Sequence, residues 1–303
     1  MTNYSFLTVD VPGAASTSAM GINDRGQVVG SYMDPAGRTH GFVETGGHFT
    51  TIDVPGAGNT EITAINNLGQ FVGDFTDASG SHGFLDSFGH ISTIDMPGAD
   101  GTYLGGINDL GQIVGGADMP GGSIREVAFL DSGGSFSTLH VPGYQNTAAA
   151  PPIGGTYMWA SGINDGGQIT VDVHNAPGSF SGAAYIDSNG TFSKIAPPDA
   201  NGPPSVGGIN DSGVTAGGYA ITPPAGTLAV PQVGYADSNG TFTPLAPFGS
   251  NAAQAAGIDD LGRVVGNYTD SLGHTHGFLA TPESPPLTVA SVLGGVLPGF
   301  LRG

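Results

Sequence analysis

Six times in 303 residues the chain returns to one phrase, and that return limits the fold more than any local propensity does. The first copy, opening at Gly21, reads Gly-Ile-Asn-Asp-x-Gly-Gln-Val-Val-Gly, and the central isoleucines of the six copies are Ile22, Ile65, Ile107, Ile163, Ile209 and Ile258. The copies lie about 42 to 56 residues apart, a period that belongs to solenoids, propellers and arrays. Within the first unit the pattern breaks into four short apolar pieces: 19–23, 26–32, 40–43 and 49–54. The breaks fall at Asn-Asp-x-Gly, Asp34-Pro35-Ala36-Gly37, Thr45-Gly46-Gly47 and Pro55-Gly56-Ala57, residues suited to tight turns. Four strands per unit with no helical periodicity predict a propeller blade.

The ends of the chain decide between a ring and an open array. Residues 4–14 match the fourth strand of a unit, yet they precede the first phrase, while the last unit stops after its third strand at 276–280. An N-terminal strand can therefore complete the final blade, and closure removes the free edges that invite aggregation. The expectation is an all-β, six-bladed β-propeller over residues 1–280, with residues 4–12 pairing beside 276–280. Residues 281–303 then form a Pro-rich linker and an apolar tail. The tail has 15 mostly apolar residues from Leu287 to Leu301, short of the roughly 20 needed to span a membrane. It is expected to pack on the propeller or on a neighbouring subunit; the oligomeric state is left open.

The repeat resembles the HAF-type extracellular repeats of bacterial proteins. The resemblance rests on the Gly-Ile-Asn-Asp phrase, on His-Gly-Phe at 40–42, 82–84 and 276–278, and on the closing Phe-Thr-Thr-Ile-Asp-Val-Pro-Gly-Ala at 49–57. The three middle units depart from it, with Val127-Ala128-Phe129, Ala183-Ala184-Tyr185 and Val233-Gly234-Tyr235. It implies a secreted protein and transfers no catalytic residues. The start, Met-Thr-Asn-Tyr-Ser-Phe, has no basic and then apolar leader, so either a signal has been removed or export does not depend on one.

A net charge of −19, with six Lys and Arg in all, leaves no cation cluster to displace counterions from phosphates, so no nucleic-acid partner is expected. Zero cysteines exclude thiolate metal sites and thiol nucleophiles. No Gly-x-Ser-x-Gly, Ser-x-x-Lys or His-Glu-x-x-His motif is present, which weakens an enzymatic reading without removing it.

Candidate chemistry sits at three places. The Asn of each phrase (Asn23, Asn66, Asn108, Asn164, Asn210, with Asp259 in the last) would form either an ion site near the axis or, as expected of such turns, bonds to its own hairpin. His40, His82 and His276 have acidic loops upstream (Asp34, Asp77, Asp270), but third strands of different blades cannot converge on one ion, so each His is expected to bond within its blade. The Asp loops read as turns first and calcium ligands second. Finally, units 3 to 5 carry longer and irregular loops, all emerging on one face. A pocket for a small neutral polar ligand such as a glycan is expected there, walled by Tyr144, Tyr157, Trp159, Asp172, His174 and Phe180. No cofactor is required by this reading. The alternative is a hydrolase or lyase at the mouth of the central channel, where a divalent cation such as calcium would polarise substrate or water.

Overall fold

The computed structural model describes residues 2–120, 126–144, 156–175, 182–222, 231–250 and 252–283. It is all-β, and the only helical turn among these residues is a short 3-10 turn at Pro247–Gly249. The chain opens with β1 (Tyr4–Val9). Blade 1 follows as β2 (Ser16–Ile22), β3 (Val28–Met33), β4 (Thr39–Thr45) and β5 (His48–Ile52). Blade 2 is β6 (Asn59–Ile65), β7 (Phe71–Thr76), β8 (Ser81–Ser87) and β9 (His90–Ile94). Blade 3 is β10 (Gly101–Ile107), β11 (Gln112–Asp118), β12 (Glu126–Ser132) and β13 (Phe136–Thr138). Blade 4 is β14 (Thr156–Ile163), β15 (Gln168–Asn175), β16 (Gly182–Ser188) and β17 (Thr191–Ile195). Blade 5 is β18 (Ser205–Ile209), β19 (Thr215–Ala220), β20 (Gln232–Ser238) and β21 (Thr241–Leu245). Blade 6 takes β22 (Ala253–Ile258), β23 (Val264–Thr269) and β24 (Thr275–Pro282) from the C-terminal side.

The closure expected from the two ends is present. β1 pairs antiparallel with β24, from Tyr4 against Pro282 to Val9 against Gly277, so blade 6 is built from both ends of the chain. The pairing runs two residues beyond Ala280, and the Glu283 N–H donates to the Asn3 carbonyl (2.8 Å). The linker and tail beyond 283 lie outside the described residues.

Five of the six central isoleucines follow a glycine (Ala64 stands there in the second unit), and the ring keeps this position small. A Cβ on Gly106 would lie 2.9 Å from the Gly162 Cα, and one on Gly257 would lie 3.0 Å from the Gly21 Cα. Neighbouring inner strands thus approach backbone to backbone, and a larger side chain would force them apart. Outside this narrow ring five blades fully bury an aromatic from the third strand (Phe42, Phe84, Phe129, Tyr235 and Phe278), while its counterpart in blade 4, Tyr185, is half-buried. These side chains, with β-branched residues such as Val28, Val72 and Val264, make six small inter-blade cores instead of one central core.

Candidate functional site

One mouth of the axis is built by the repeat phrase. At the end of each first strand the Asn Oδ1 accepts backbone N–H groups of its own turn, as in Arg25 (3.2 Å) and Gln27 (3.1 Å) to Asn23. The amide end does something the sequence reading did not foresee: it crosses to the next blade. Asn23 Nδ2 donates to the Asn66 carbonyl (3.0 Å), Asn66 to Asn108 (3.1 Å), Asn108 to Asn164 (3.1 Å), Asn164 to Asn210 (2.9 Å) and Asn210 to Asp259 (3.0 Å). Asp259 has no amide to continue the circle. Arg263 completes it, with Nε on Asp259 Oδ2 (2.5 Å) and a guanidinium N–H donating to the Asn23 carbonyl (3.1 Å).

One residue further on, a second circle forms. The backbone N–H of Asp24 donates to Asn67 Oδ1, Asn67 to Asp109, Asp109 to Asp165, Asp165 to Asp211, Asp211 to Asp260, and Asp260 back to Asp24, all at 2.7–2.9 Å. Five carboxylates therefore rim one mouth. Burial and the neighbouring carboxylates push Asp165 and Asp260 above the usual carboxylate range, while the backbone N–H bonds pull the other way. The space they enclose is about 70 Å³, room for a couple of waters and too small for a sugar.

The opposite mouth widens. The first strands run toward the Asn turns, so their earlier residues lie at the other end of the axis, on the face where the inter-blade connections emerge. There a cavity of about 370 Å³ is shared chiefly by blades 4, 5 and 6. Trp159 walls it half-exposed, with Ser161, Asp172, Ser205, Gln254 and Asn267 among its polar lining. Trp159 and Asp172 are register partners on β14 and β15. The indole leans on blade 3, where a Cβ on Gly116 would come within 2.7 Å of the ring; the glycine makes room for it. The same Cβ would lie 2.6 Å from Glu126 Oε1, so that carboxyl sits on the same spot.

Two carboxyls thus flank the indole with unusual acidity. Burial pushes Asp172 up to about 8, against the lowering effect of the Val206 N–H that its oxygens accept at 3.1 and 3.3 Å. Burial, and then the charge of Asp118, push Glu126 up to about 7. The Asp172 bond also has a structural purpose. Asn267 and Asp74 hold the same position in their blades and accept the N–H of Ala19 (2.9 Å) and Leu104 (2.7 Å) in the next blade.

Of the six residues expected to wall a pocket, Trp159 and Asp172 line this cavity. Tyr157 and His174 form the neighbouring cross-strand pair but do not line it. The Tyr157 hydroxyl is buried with no hydrogen-bond partner among the described residues, and its pKa is raised by burial, then by Glu126 and Asp118. His174 is half-buried, and desolvation lowers its pKa. Tyr144 packs edge-on against Tyr185 (6.3 Å) at the outer side of blade 4. Phe180 lies outside the described residues. Gln254 and Asn267 were missed because each sits in an otherwise regular unit.

The histidines bond within their own blades, as expected. Each imidazole donates through Nδ1 to an Asp at the end of the outermost strand: His40 to Asp53 (2.9 Å), His82 to Asp95 (2.8 Å) and His276 to Asp10 (2.7 Å). Each also stacks on an aromatic of the second strand, Tyr32, Phe75 or Tyr268. In blade 2, Ser79 Oγ lies 2.9 Å from His82 Nε2, superficially a nucleophile–base–acid relay. Ser79 already donates to Asp77 Oδ1 (2.5 Å), so it accepts from His82, and the Asp95 bond holds His82 toward its cationic form. With its one hydroxyl proton given to Asp77, the serine has none to pass to His82, and the arrangement is a loop pin.

No model of a protein family matches the chain and no curated protein matches it, so the resemblance to HAF-type repeats stands on the repeated sequence motifs alone. Solved structures do resemble it. A protein of unknown function from Dyadobacter fermentans aligns over 93% of this chain and 99% of its own, at 9% identity and a TM-score of 0.55. The Aleuria aurantia lectin, solved with Fucα1-6GlcNAc, aligns over 92% and 99% at 10% identity and a TM-score of 0.52. A mutant of AofleA from Arthrobotrys oligospora aligns over 92% and 86% at 12% identity and a TM-score of 0.50. At these identities the likeness shows a shared propeller fold.

Proposed function

We propose that this propeller is an extracellular binding module for a neutral glycan or similar polar ligand, held in the cavity of blades 4 to 6. The observation that carries this reading is the half-exposed Trp159 set across a cavity of about 370 Å³ from amide and hydroxyl side chains. A sugar ring offers an apolar face and a girdle of hydroxyls. An indole takes the first, and Gln254, Asn267, Ser161 and Ser205 can exchange hydrogen bonds with the second. Burial raises Asp172 to about 8 and so favours its uncharged form at neutral pH, and a net charge of −19 repels anionic saccharides, so both favour a neutral ligand. The Aleuria aurantia lectin, a propeller of similar fold, was solved with a fucosylated saccharide, which is consistent with this reading. The extracellular setting rests on the HAF-type resemblance.

A second reading has one specific observation in its favour. Asp172 and Glu126, both raised by burial far above the usual carboxylate range, flank the same indole, and raised carboxyls in a cleft are what a hydrolase or lyase needs for a general acid. A glycan array followed by titration of hits, read by the emission of the sole tryptophan, tests the first reading. Binding that shifts the emission and weakens at least about tenfold in Trp159→Ala supports it. A glycan that binds tightly without touching the emission, and binds Trp159→Ala equally, overturns it. Turnover that Asp172→Asn abolishes while binding persists would establish the second reading.

A further inference from the structure

The strongest unassigned cluster lies at the rim of blade 6, where the chain closes on itself. The loop between β23 and β24 runs Asp270-Ser-Leu-Gly-His274-Thr-His276. One carboxylate oxygen, Asp270 Oδ1, is committed to the turn, accepting the N–H groups of Leu272 (2.8 Å) and His274 (2.9 Å). The other, Oδ2, is aimed at two imidazoles: His274 Nδ1 at 3.3 Å and His276 Nε2 at 3.4 Å. All three potential donor atoms lie within 4.8 Å of one another.

Those separations suit an ion better than a hydrogen bond. Ligands on a tetrahedral zinc-type ion, with bonds of about 2.0–2.1 Å, stand about 3.3 Å apart. The two Asp–His contacts already match that spacing, and rotation of the exposed His274 ring closes the third. Behind His276 stands the support that metal-bound histidines have: Nδ1 donates to Asp10 Oδ2 at 2.7 Å, which leaves Nε2 as the ligating nitrogen. The Asp10 Oδ1 is buried without a hydrogen-bond partner among the described residues. Blade 1 supplies an internal control. Its loop has the same turn, Asp34 Oδ2 the same 3.4 Å from His40 Nε2, and the same carboxylate behind, but Arg38 stands where His274 does and is spent on the Ala57 and Gly58 carbonyls. Among the described residues only blade 6 pairs two imidazoles with one carboxylate.

We propose that Asp270, His274 and His276 form a binding site for a divalent transition-metal ion of the zinc class, with Asp10 as the group that orients His276. Imidazole donors select such an ion over calcium, which prefers oxygen. Because Asp10 follows the N-terminal strand and the ligands flank the C-terminal one, an ion held here fastens the seam of the ring. It would stabilise the folded state by mass action. The inference is independent of the glycan reading.

Calorimetric titration of the full chain with Zn²⁺ at about pH 8, beside thermal unfolding, tests it. The expected result is one saturable equivalent and a Tm raised by about 3–5 °C at a hundredfold excess over Kd. His274→Ala, a change at an exposed side chain, should leave the metal-free melting curve in place. It should also lose the shift and at least about tenfold in affinity. Asp10→Asn should weaken binding by about tenfold or more, and His48→Ala should change nothing. Co²⁺ should develop the visible absorption of a tetrahedral site in the unmodified protein only. Unsaturable or multi-equivalent binding, or identical titrations for the unmodified protein and His274→Ala, would overturn the assignment.

Discussion

Blades 6, 1 and 2 differ from blades 3, 4 and 5 in one correlated pair of positions. In the first group a third-strand histidine faces an aspartate at the end of the outermost strand: His276 and Asp10, His40 and Asp53, His82 and Asp95. In the second group the same two places hold Val127 and His140, Ala183 and Ala196, Val233 and Ala246. Where the histidine goes, the aspartate goes too. The contact was therefore written inside the chain as covariation between its own repeats. The clamped half keeps short loops and regular turns. The unclamped half dispenses with the clamps and carries Trp159 and the buried Asp172, the two elements that make its mouth unlike a sixfold surface.

The sharpest way to break this comparison is at the seam of the clamped half. Removing residues 1–10 strips the fourth strand from blade 6, takes Asp10 from His276 and exposes the edge of β24. A ring opened this way loses its closure, and cooperative unfolding should collapse, with aggregation in place of a clean transition. A melting curve and urea m-value like those of the full chain would show that the seam carries little.

Next in size is the join between the last and first blades. Arg263→Met leaves Asp259, whose side chain is 1% exposed, as a buried carboxyl without its cation, and should cost about 3–5 kcal/mol. The double change Asp259→Asn with Arg263→Gln restores the pairing that Asn23 and Gln27 have (2.9 Å) and should recover most of that loss. Failure of the double variant to recover would mean that the Asp–Arg pair is more than a substitute for the amide circle.

How much of this was legible beforehand follows from what each feature is made of. The ring, the blade count and the closure by β1 are periodic, and a period can be read from a string. The clamps were half legible: the histidines were visible, but their partners required comparing units at two positions at once. The inter-blade amide circle was missed because Asn at a turn has a sufficient local use, and nothing in Gly-Ile-Asn says that its second end crosses to a neighbour. The second circle, from Asp24 to Asp260, was present in the phrase yet overshadowed by the Asn before it. The cavity was legible only where symmetry was broken. Trp159 and Asp172 stand out from their repeats, whereas Gln254 and Asn267 matter only because the ring turns blade 6 toward the same cavity as blade 4.

Within the unclamped half, Asp172 separates structure from chemistry. Asp172→Ala strands the Val206 N–H and should cost about 1–3 kcal/mol. Asp172→Asn keeps the bond, as Asn267 does naturally for Ala19, and should cost little. What it removes is ionisation. The folded pKa, about 8, lies above the unfolded value near 3.8, so this group's contribution is complete below about pH 4 and is lost as the pH rises through about 8. The unmodified protein should therefore lose stability over that window, and Asp172→Asn should flatten the profile. Equal slopes for the two would place the pH dependence elsewhere, with Glu126 and Asp74, both raised chiefly by burial, the next to replace.

The smallest effect belongs to a single clamp. His82 is held above its usual pKa first by the Asp95 hydrogen bond, against some desolvation, then by the charges of Asp95 and Asp77. Its stabilisation is complete below the ordinary histidine pKa of about 6.5 and disappears as the pH rises through the higher folded value. The pair is partly exposed, at 22% and 42%, so solvent and salt screen it and the coupling should be no more than about 1 kcal/mol. A double-mutant cycle over His82→Ala and Asp95→Ala, run at about pH 6 and again at about pH 9, isolates that coupling from the stacking of His82 on Phe75 (5.1 Å). A coupling that persists undiminished at the higher pH would mean that the clamp holds through the neutral imidazole, and that the two halves of the ring differ in packing more than in charge.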